Sequence, residues 1–219
     1  MGSKRISTGA RKGAAEQTAA VGVVEHGNSA VLVTVACDGT LIDRRRIDLT
    51  HDLPALPHHH EGSWAVGRYL NSPWARPTSL ADAIALVERV REAAARGAEA
   101  GLDALARTVS MPIAVIAMRA CPELPPTVEE RIRDNRAQTV ADTVMYREAL
   151  AAAATKRGWS VHWYARERVL DAAAAALGVD AIDTVLSAMG RAAGPPWQAK
   201  HKLAAAAAIA AARQPKKER

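Results

Sequence analysis

The sequence contains no phenylalanine, and aromatic residues make up only 4% of the chain. Its two cysteines, Cys37 and Cys121, lie far apart in sequence and form no CxxC pair. No apolar run approaches the roughly 20 residues that a membrane-spanning helix needs, and no signal-type apolar segment follows the basic N-terminus. These absences argue against a membrane or secreted protein and predict a reduced, cytoplasmic one.

Positive charge is in moderate excess, because 29 Lys and Arg stand against 23 Asp and Glu and give a formal net charge of +6. Much of this excess lies at the two ends of the chain. Residues 1–19 and 214–219 are therefore expected to be unstructured basic tails on either side of a single domain at 20–213. The balance permits a polyanionic partner without requiring one.

Three consecutive strands are predicted near the start of the chain. Val21–Glu25 is an apolar run that ends in a carboxylate, and Ala30–Cys37 follows a period of two. Leu41–Leu49 keeps that period but places charges on one face, which is typical of an edge strand. Asp38-Gly39 between the last two predicts a two-residue type I′ turn. We therefore expect an antiparallel meander whose first strand delivers Glu25 to a turn.

The remainder of the chain alternates helices with two further strands. Ile113–Met118 is a continuous apolar run, typical of a central strand buried on both faces. The other predicted elements are helices at Ser79–Arg107, Thr127–Arg157, Glu167–Leu177, Asp180–Met189 and Gln198–Arg213 and a strand at Trp159–Tyr164. Right-handed crossovers then predict an α/β fold with a mixed five-stranded sheet in the order 3-2-1-4-5, flanked by helices.

This order resembles the ribonuclease H-like superfamily and, within it, the RuvC-type Holliday-junction resolvases. Val23–Gly27 is similar to the family's hydrophobic–acid–x–Gly first-strand motif. Gly158–Trp163 matches the family's step from a helix through a glycine into a strand. Lys200–Leu203 leads into an alanine-rich helix, and in the resolvases an acidic or histidine-plus-acid site opens a similar helix. The resemblance lies in the order of the secondary-structure elements and extends over Ala20–Arg213.

The resemblance implies phosphodiester hydrolysis of structured DNA or RNA by two ions, Mg²⁺ or Mn²⁺, held between carboxylates. Glu25 matches the first-strand acid, and His201 can fill the first ligand position at the last helix. The sequence departs from the pattern at Met118-Arg119, where the family places a glutamate. It departs again at Ala204, where a second acid is expected.

A replacement site is therefore predicted around the loop His58–Glu61. The third strand should run parallel to the first, so this loop is expected to fold over the end of the sheet that carries Glu25. The predicted catalytic residues are Glu25, Glu61 and His201, and the predicted metal ligands are Glu25, His60 and Glu61, with Glu123 as a further candidate. Arg119, Lys200 and Lys202 would then face a phosphate. The alternative for the loop is a polar surface connection without a ligand role.

A second class of function is a non-catalytic nucleic-acid-binding or assembly module on the same fold. Arg44 and Arg46 on the edge strand, together with Arg119, Lys200 and Lys202, would contact phosphates. The alternative role for Arg44 and Arg46 is protection of the sheet edge. The expected partners are nucleic acid and, in a homodimer, a second copy of the chain, with no membrane partner.

A third class is suggested by the segment Glu25–Ser29, which is vaguely similar to the acid–x–Gly–Asn–Ser/Thr opening of some small-molecule kinases. Such proteins need a second, glycine-rich phosphate loop near the middle of the chain. No such loop is visible between Met111 and Ala137, which argues against ATP use.

Overall fold

The computed structural model describes residues 17–51, 79–134 and 136–213. Its strands are β1 (Ala19–His26), β2 (Ser29–Ala36), β3 (Leu41–Asp48), β4 (Ile113–Arg119) and β5 (Ser160–Tyr164). They form one sheet in the order β3-β2-β1-β4-β5. The strand β2 is antiparallel to β1 and β3, whereas β4 is parallel to both β1 and β5. The predicted ribonuclease H-like arrangement, with its first strand central and its second antiparallel to the rest, is confirmed.

The hairpin between β2 and β3 is one residue longer than expected. The Gly39 N–H donates to the Ala36 carbonyl at 2.9 Å, and the Ala36 N–H donates to the Thr40 carbonyl at the same distance. Only the glycine then needs a positive φ, which is 90°, and the Asp38 carboxylate accepts from the Thr40 N–H at 2.8 Å. The predicted two-residue turn is therefore wrong, because the Asp38 carboxylate stabilises a wider loop.

The helices are α1 (Leu80–Thr108), α2 (Val128–Arg133), α3 (Ala141–Lys156), α4 (Val169–Leu177), α5 (Ile182–Ala193) and α6 (Ala199–Ala212). Short 3-10 turns lie at Ala137–Thr139 and Arg166–Arg168. Among the described helices, none is long and apolar enough to cross a membrane.

The predicted helix Thr127–Arg157 is interrupted between α2 and α3. The Asp134 carboxylate accepts from the backbone N–H groups of Arg136 and Ala137, at 2.8 and 2.6 Å. A side chain that captures backbone donors in this way competes with helix continuation. The prediction of one helix is wrong for that reason, and the interruption places Arg136 beside the end of β4.

Helices cover both faces of the sheet. Val21 and Val23 of β1 point into a core with α1 and α3, where Tyr146, Leu102 and Met118 are fully buried. Ala20 and Val24 point the other way, into a core built with α4, α5 and α6. Because side chains alternate along a strand, Glu25 belongs to the α3 face.

The helix α6 lies directly on β1 at Gly22. A Cβ atom at this glycine would collide with the Ala204 carbonyl and would lie 2.7 Å from the Ala208 backbone nitrogen. The alanine run of α6 is buried from Ala204 to Ala211. The small alanine side chains of α6 and the absence of a side chain at Gly22 allow the two backbones to come into contact.

Candidate functional site

Glu25 lies near the carboxyl end of β1 and forms a buried ion pair with Arg147 of α3. The Arg147 Nε donates to Glu25 Oε1 at 2.9 Å, Nη2 donates to the same oxygen, and Nη1 donates to the Ala120 carbonyl at 3.2 Å. The exposed fractions of the two side chains are 5% for Arg147 and 8% for Glu25. The first-strand acid is therefore already matched by a guanidinium inside the protein.

This pair stabilises the charged form of Arg147. Burial acts to lower the pKa of the guanidinium, but the hydrogen bonds and the negative charge of Glu25 outweigh it, and the net direction is upward. Breaking such a pair by removing one partner leaves an uncompensated buried charge. A divalent ion at Glu25 would have to displace Arg147 or bind beside its positive charge.

The carboxyl end of β4 brings a cation rather than an acid to this region. Met118 is fully buried, and Arg119 is exposed and lines a cavity of about 410 Å³ at the ends of β4 and β5. Cys121 follows in the same wall, and burial raises the pKa of its thiol, which Arg147 partly offsets. The thiol is therefore protonated at neutral pH.

His201 has a structural role at the start of α6. Its Nδ1 accepts a hydrogen bond from the Gln198 N–H at 3.0 Å, and its ring stacks on Trp197 with centroids 5.8 Å apart. Burial, followed by the charges of Arg44 and Lys200, lowers its pKa, so the imidazole is neutral at pH 7. Glu25 points to the α3 face and α6 covers the other, so the sheet separates these two predicted catalytic residues.

The predicted phosphate-contacting cations are held differently from one another. Arg44 uses one nitrogen, Nη1, to donate to the carbonyls of Gly194 and Pro196, at 2.8 and 2.7 Å. Arg46 is 60% exposed and pairs with Asp48 at 2.9 Å. Lys200 and Lys202 lie half-exposed in the first turn of α6. Arg44 thus ties the edge strand to the loop before α6.

His60 and Glu61, with the rest of the loop His58–Glu61, lie outside the described residues. Their predicted position rests on the direction of β3, which ends beside the β1–β2 turn because the Leu49 N–H donates to the Asn28 carbonyl at 2.8 Å. Glu123 and Asp134 line an adjoining cavity of about 440 Å³, which shares Arg136 with the cavity at the ends of β4 and β5.

The described residues do not fit the two-metal centre that the family resemblance implies. Within 17–51, 79–134 and 136–213, no group of three or more His, Cys, Asp or Glu residues could hold a metal ion. The acid of β1 is paired with arginine, the end of β4 carries Arg119, and His201 lies across the sheet.

Sequence reasoning missed Arg147, which dominates this site. A signal was present, because Arg147 lies three residues from Val144 and three from Leu150, both on the buried stripe of α3. An arginine within an apolar stripe needs a buried acceptor. That acceptor is Glu25, which lies 122 residues earlier in the chain, so the sequence around Arg147 does not identify it.

No protein-family model matches the chain, and no curated protein does either. Solved structures of RuvC are among those similar to it. T. thermophilus RuvC in complex with Holliday junction substrate is 14% identical, with a TM-score of 0.46 over 88% of this chain and 91% of that chain. The Thermus thermophilus RuvC structure is 15% identical, with a TM-score of 0.42 over 88% and 92%. These are likenesses of fold, and the strand order itself carries the fold assignment.

Proposed function

We propose that this chain is a nucleic-acid-binding module that uses a ribonuclease H-like sheet without a two-metal carboxylate centre. The observation that carries the proposal is the buried Glu25–Arg147 pair. Two-metal hydrolysis needs several acids that converge on the ions and keep their charge available to them. Here Glu25, the acid of the central strand, forms an ion pair with Arg147 instead.

The same end of the sheet is rich in cations. Arg119 closes β4, Arg166 follows β5, and both are exposed. Arginine side chains contact phosphate oxygens with paired N–H donors, and such contacts give affinity without reading base sequence. Lys200 and Lys202 at the start of α6 add charge of the same sign.

Binding should be measured with the full chain in the presence of EDTA, on single strands, duplexes and four-way junctions of DNA and RNA. We expect binding that weakens steeply with salt. Lys200→Ala and Lys202→Ala should each flatten the log–log salt slope by roughly one unit for each lost phosphate contact. Lys156→Ala, an exposed lysine at the far end of α3, is the matched control. If wild-type protein binds none of these nucleic acids at low salt, the proposal is wrong.

A metal-dependent nuclease is the second candidate function. It is favoured by the direction of β3, since the segment that carries His58–Glu61 departs from the end of the sheet where Glu25 lies. The same nucleic acids should be incubated with Mg²⁺, Mn²⁺ or EDTA. Cleavage that needs a metal and is lost in Glu61→Gln, while binding persists, would replace the non-catalytic proposal with this one.

A further inference from the structure

The cavity at the carboxyl ends of β4 and β5 has four arginines among its twelve lining residues. Its volume is about 410 Å³, and four arginines contribute to its wall from four different segments. They are Arg119 at the end of β4, Arg136 in the helix interruption, Arg147 of α3 and Arg166 after β5. In open α/β sheets, ligands bind in crevices at the carboxyl ends of parallel strands.

The cavity has a buried base and an exposed rim. Arg147 and Tyr164 lie at the base, where each is about 5% exposed. Arg119, Arg136 and Arg166 are exposed and therefore form the rim. The base is fixed, because Arg147 is held by Glu25 and by the Ala120 carbonyl.

The cavity carries a positive charge that its own walls do not balance. Arg147 is neutralised by Glu25, but the three rim arginines form no ion pair among the described residues. Glu167 is the carboxylate in the lining, so three positive charges and one negative charge leave a net +2. Closely spaced like charges repel one another, and an anion among them removes that cost.

Tyr164 adds a neutral donor at the base. Burial, followed by the charge of Glu25, raises the pKa of its hydroxyl to about 12, while Arg147, Arg119 and Arg166 act in the opposite direction. The phenol therefore stays protonated throughout the physiological range. Arg119 and Arg166 line the same cavity as Tyr164.

We propose that this cavity binds the terminal phosphate monoester of a nucleic-acid strand, with Arg119, Arg136 and Arg166 around the phosphate and Tyr164 beneath it. The proposal rests on the proposed nucleic-acid-binding function. The guanidinium fork matches phosphate oxygens in pairs, and a terminal phosphate offers three such oxygens, one more than a carboxylate has.

Charge favours a strand end over an internal phosphodiester. A monoester carries close to two negative charges at pH 7 and matches the net +2 of the lining, whereas a diester carries one. The rest of the strand would leave over the exposed rim.

The test is fluorescence anisotropy of the full chain with one oligonucleotide prepared with a 5′-phosphate, with a 3′-phosphate or with hydroxyl ends. We expect a phosphorylated end to bind about tenfold more tightly than hydroxyl ends at the same salt concentration. Arg119→Ala and Arg166→Ala should each remove most of this preference. Arg119→Lys should keep part of it, because it retains the charge but loses the fork.

Arg107→Ala is the matched control, since it removes the same charge from the last turn of α1, away from the cavity. Its preference for the phosphorylated end should equal that of the wild type. A nucleoside monophosphate should compete less well than the phosphorylated strand, and equal competition would make a free nucleotide the ligand and overturn the proposal.

Equal affinity for phosphorylated and hydroxyl ends would also overturn it while leaving the nucleic-acid-binding function in place. An equal loss of preference in Arg107→Ala and Arg119→Ala would overturn it as well, because a general charge effect would then explain the result. Failure of every oligonucleotide to bind would instead contradict the proposed function.

Discussion

The two faces of the central sheet are packed by different means. On the α1 and α3 face, large side chains such as Tyr146 and Leu102 fill the core, and an ion pair is buried at its edge. On the α6 face, a run of alanines lies on Gly22 with the two backbones in contact. One face therefore has room for a buried guanidinium, whereas on the other face there is no room for a single added carbon at Gly22.

Two of the three predicted catalytic residues, Glu25 and His201, lie on these opposite faces and therefore do not meet. Glu25 points to the face with space and is matched there by Arg147. His201 lies in the first turn of α6 on the other face, where its ring accepts a hydrogen bond from the Gln198 N–H. A strand places neighbouring side chains on opposite faces, so one position in β1 decides which of these environments an acid enters.

The largest expected effect tests the close contact on the α6 face. Gly22→Val should abolish folding, at a cost on the order of 4 kcal/mol or more, because its side chain would meet backbone atoms that cannot move aside. Soluble yield and circular dichroism would measure it. Gly27→Ala is the control: its φ is +55° but nothing lies within 4 Å, so about 1 kcal/mol is expected. A well-folded Gly22→Val protein would show that α6 does not lie on β1 at this distance.

The next effect tests the buried pair on the α3 face. Glu25→Gln and Arg147→Met should each lower the free energy of unfolding by about 3–5 kcal/mol, because each leaves a polar or charged partner uncompensated. The double variant Glu25→Gln/Arg147→Met should lose less free energy of unfolding than the sum of the two single losses. Denaturant unfolding would measure the coupling.

Lys156→Met is the control for that cycle, since it removes the exposed partner of Glu99 and should cost less than about 1 kcal/mol. If the single variants of Glu25 and Arg147 lose as little free energy of unfolding as Lys156→Met, the pair is solvated. The buried pair would then no longer argue against a metal at Glu25.

A smaller effect concerns the tie between the edge strand and the loop before α6. Arg44→Ala should cost about 1.5–3 kcal/mol, because two backbone carbonyls lose a charged donor. Arg46→Ala, two residues away and exposed, should cost less than about 1 kcal/mol. Thermal or urea unfolding of the two variants side by side would measure the difference. Equal costs would mean that Arg44 is free to contact a ligand.

The smallest effect is a pH dependence on the α6 face. The pKa of His201 is lowered on folding, so the unfolded chain binds the proton more tightly and stability falls as the pH drops below about 6.5. His201→Gln keeps an acceptor for the Gln198 N–H and removes the titration. Between pH 7.5 and 5.5, the wild type should lose up to about 1 kcal/mol more than this variant in urea unfolding. Identical losses would contradict the neutral, buried imidazole.

The sequence alone determined the sheet. The charged third strand, the Asp38-Gly39 signal and the apolar run Ile113–Met118 predicted the order of strands, because each depends on a short-range pattern of polarity and turn residues. Where a single side chain competes with the backbone, local patterns were less reliable. The carboxylates of Asp38 and Asp134 changed the length of a turn and interrupted a helix.

The tertiary structure alone decided the candidate site. Glu25 was identified from its place at the end of β1, but its partner Arg147 lies 122 residues further along, and the pairing depends on how α3 docks on the sheet. The rim of the cavity likewise joins Arg119, Arg136 and Arg166 from segments that have no sequence pattern in common. Backbone structure follows from local periodicity, whereas the charge environment of a side chain follows from which face it enters and what packs there.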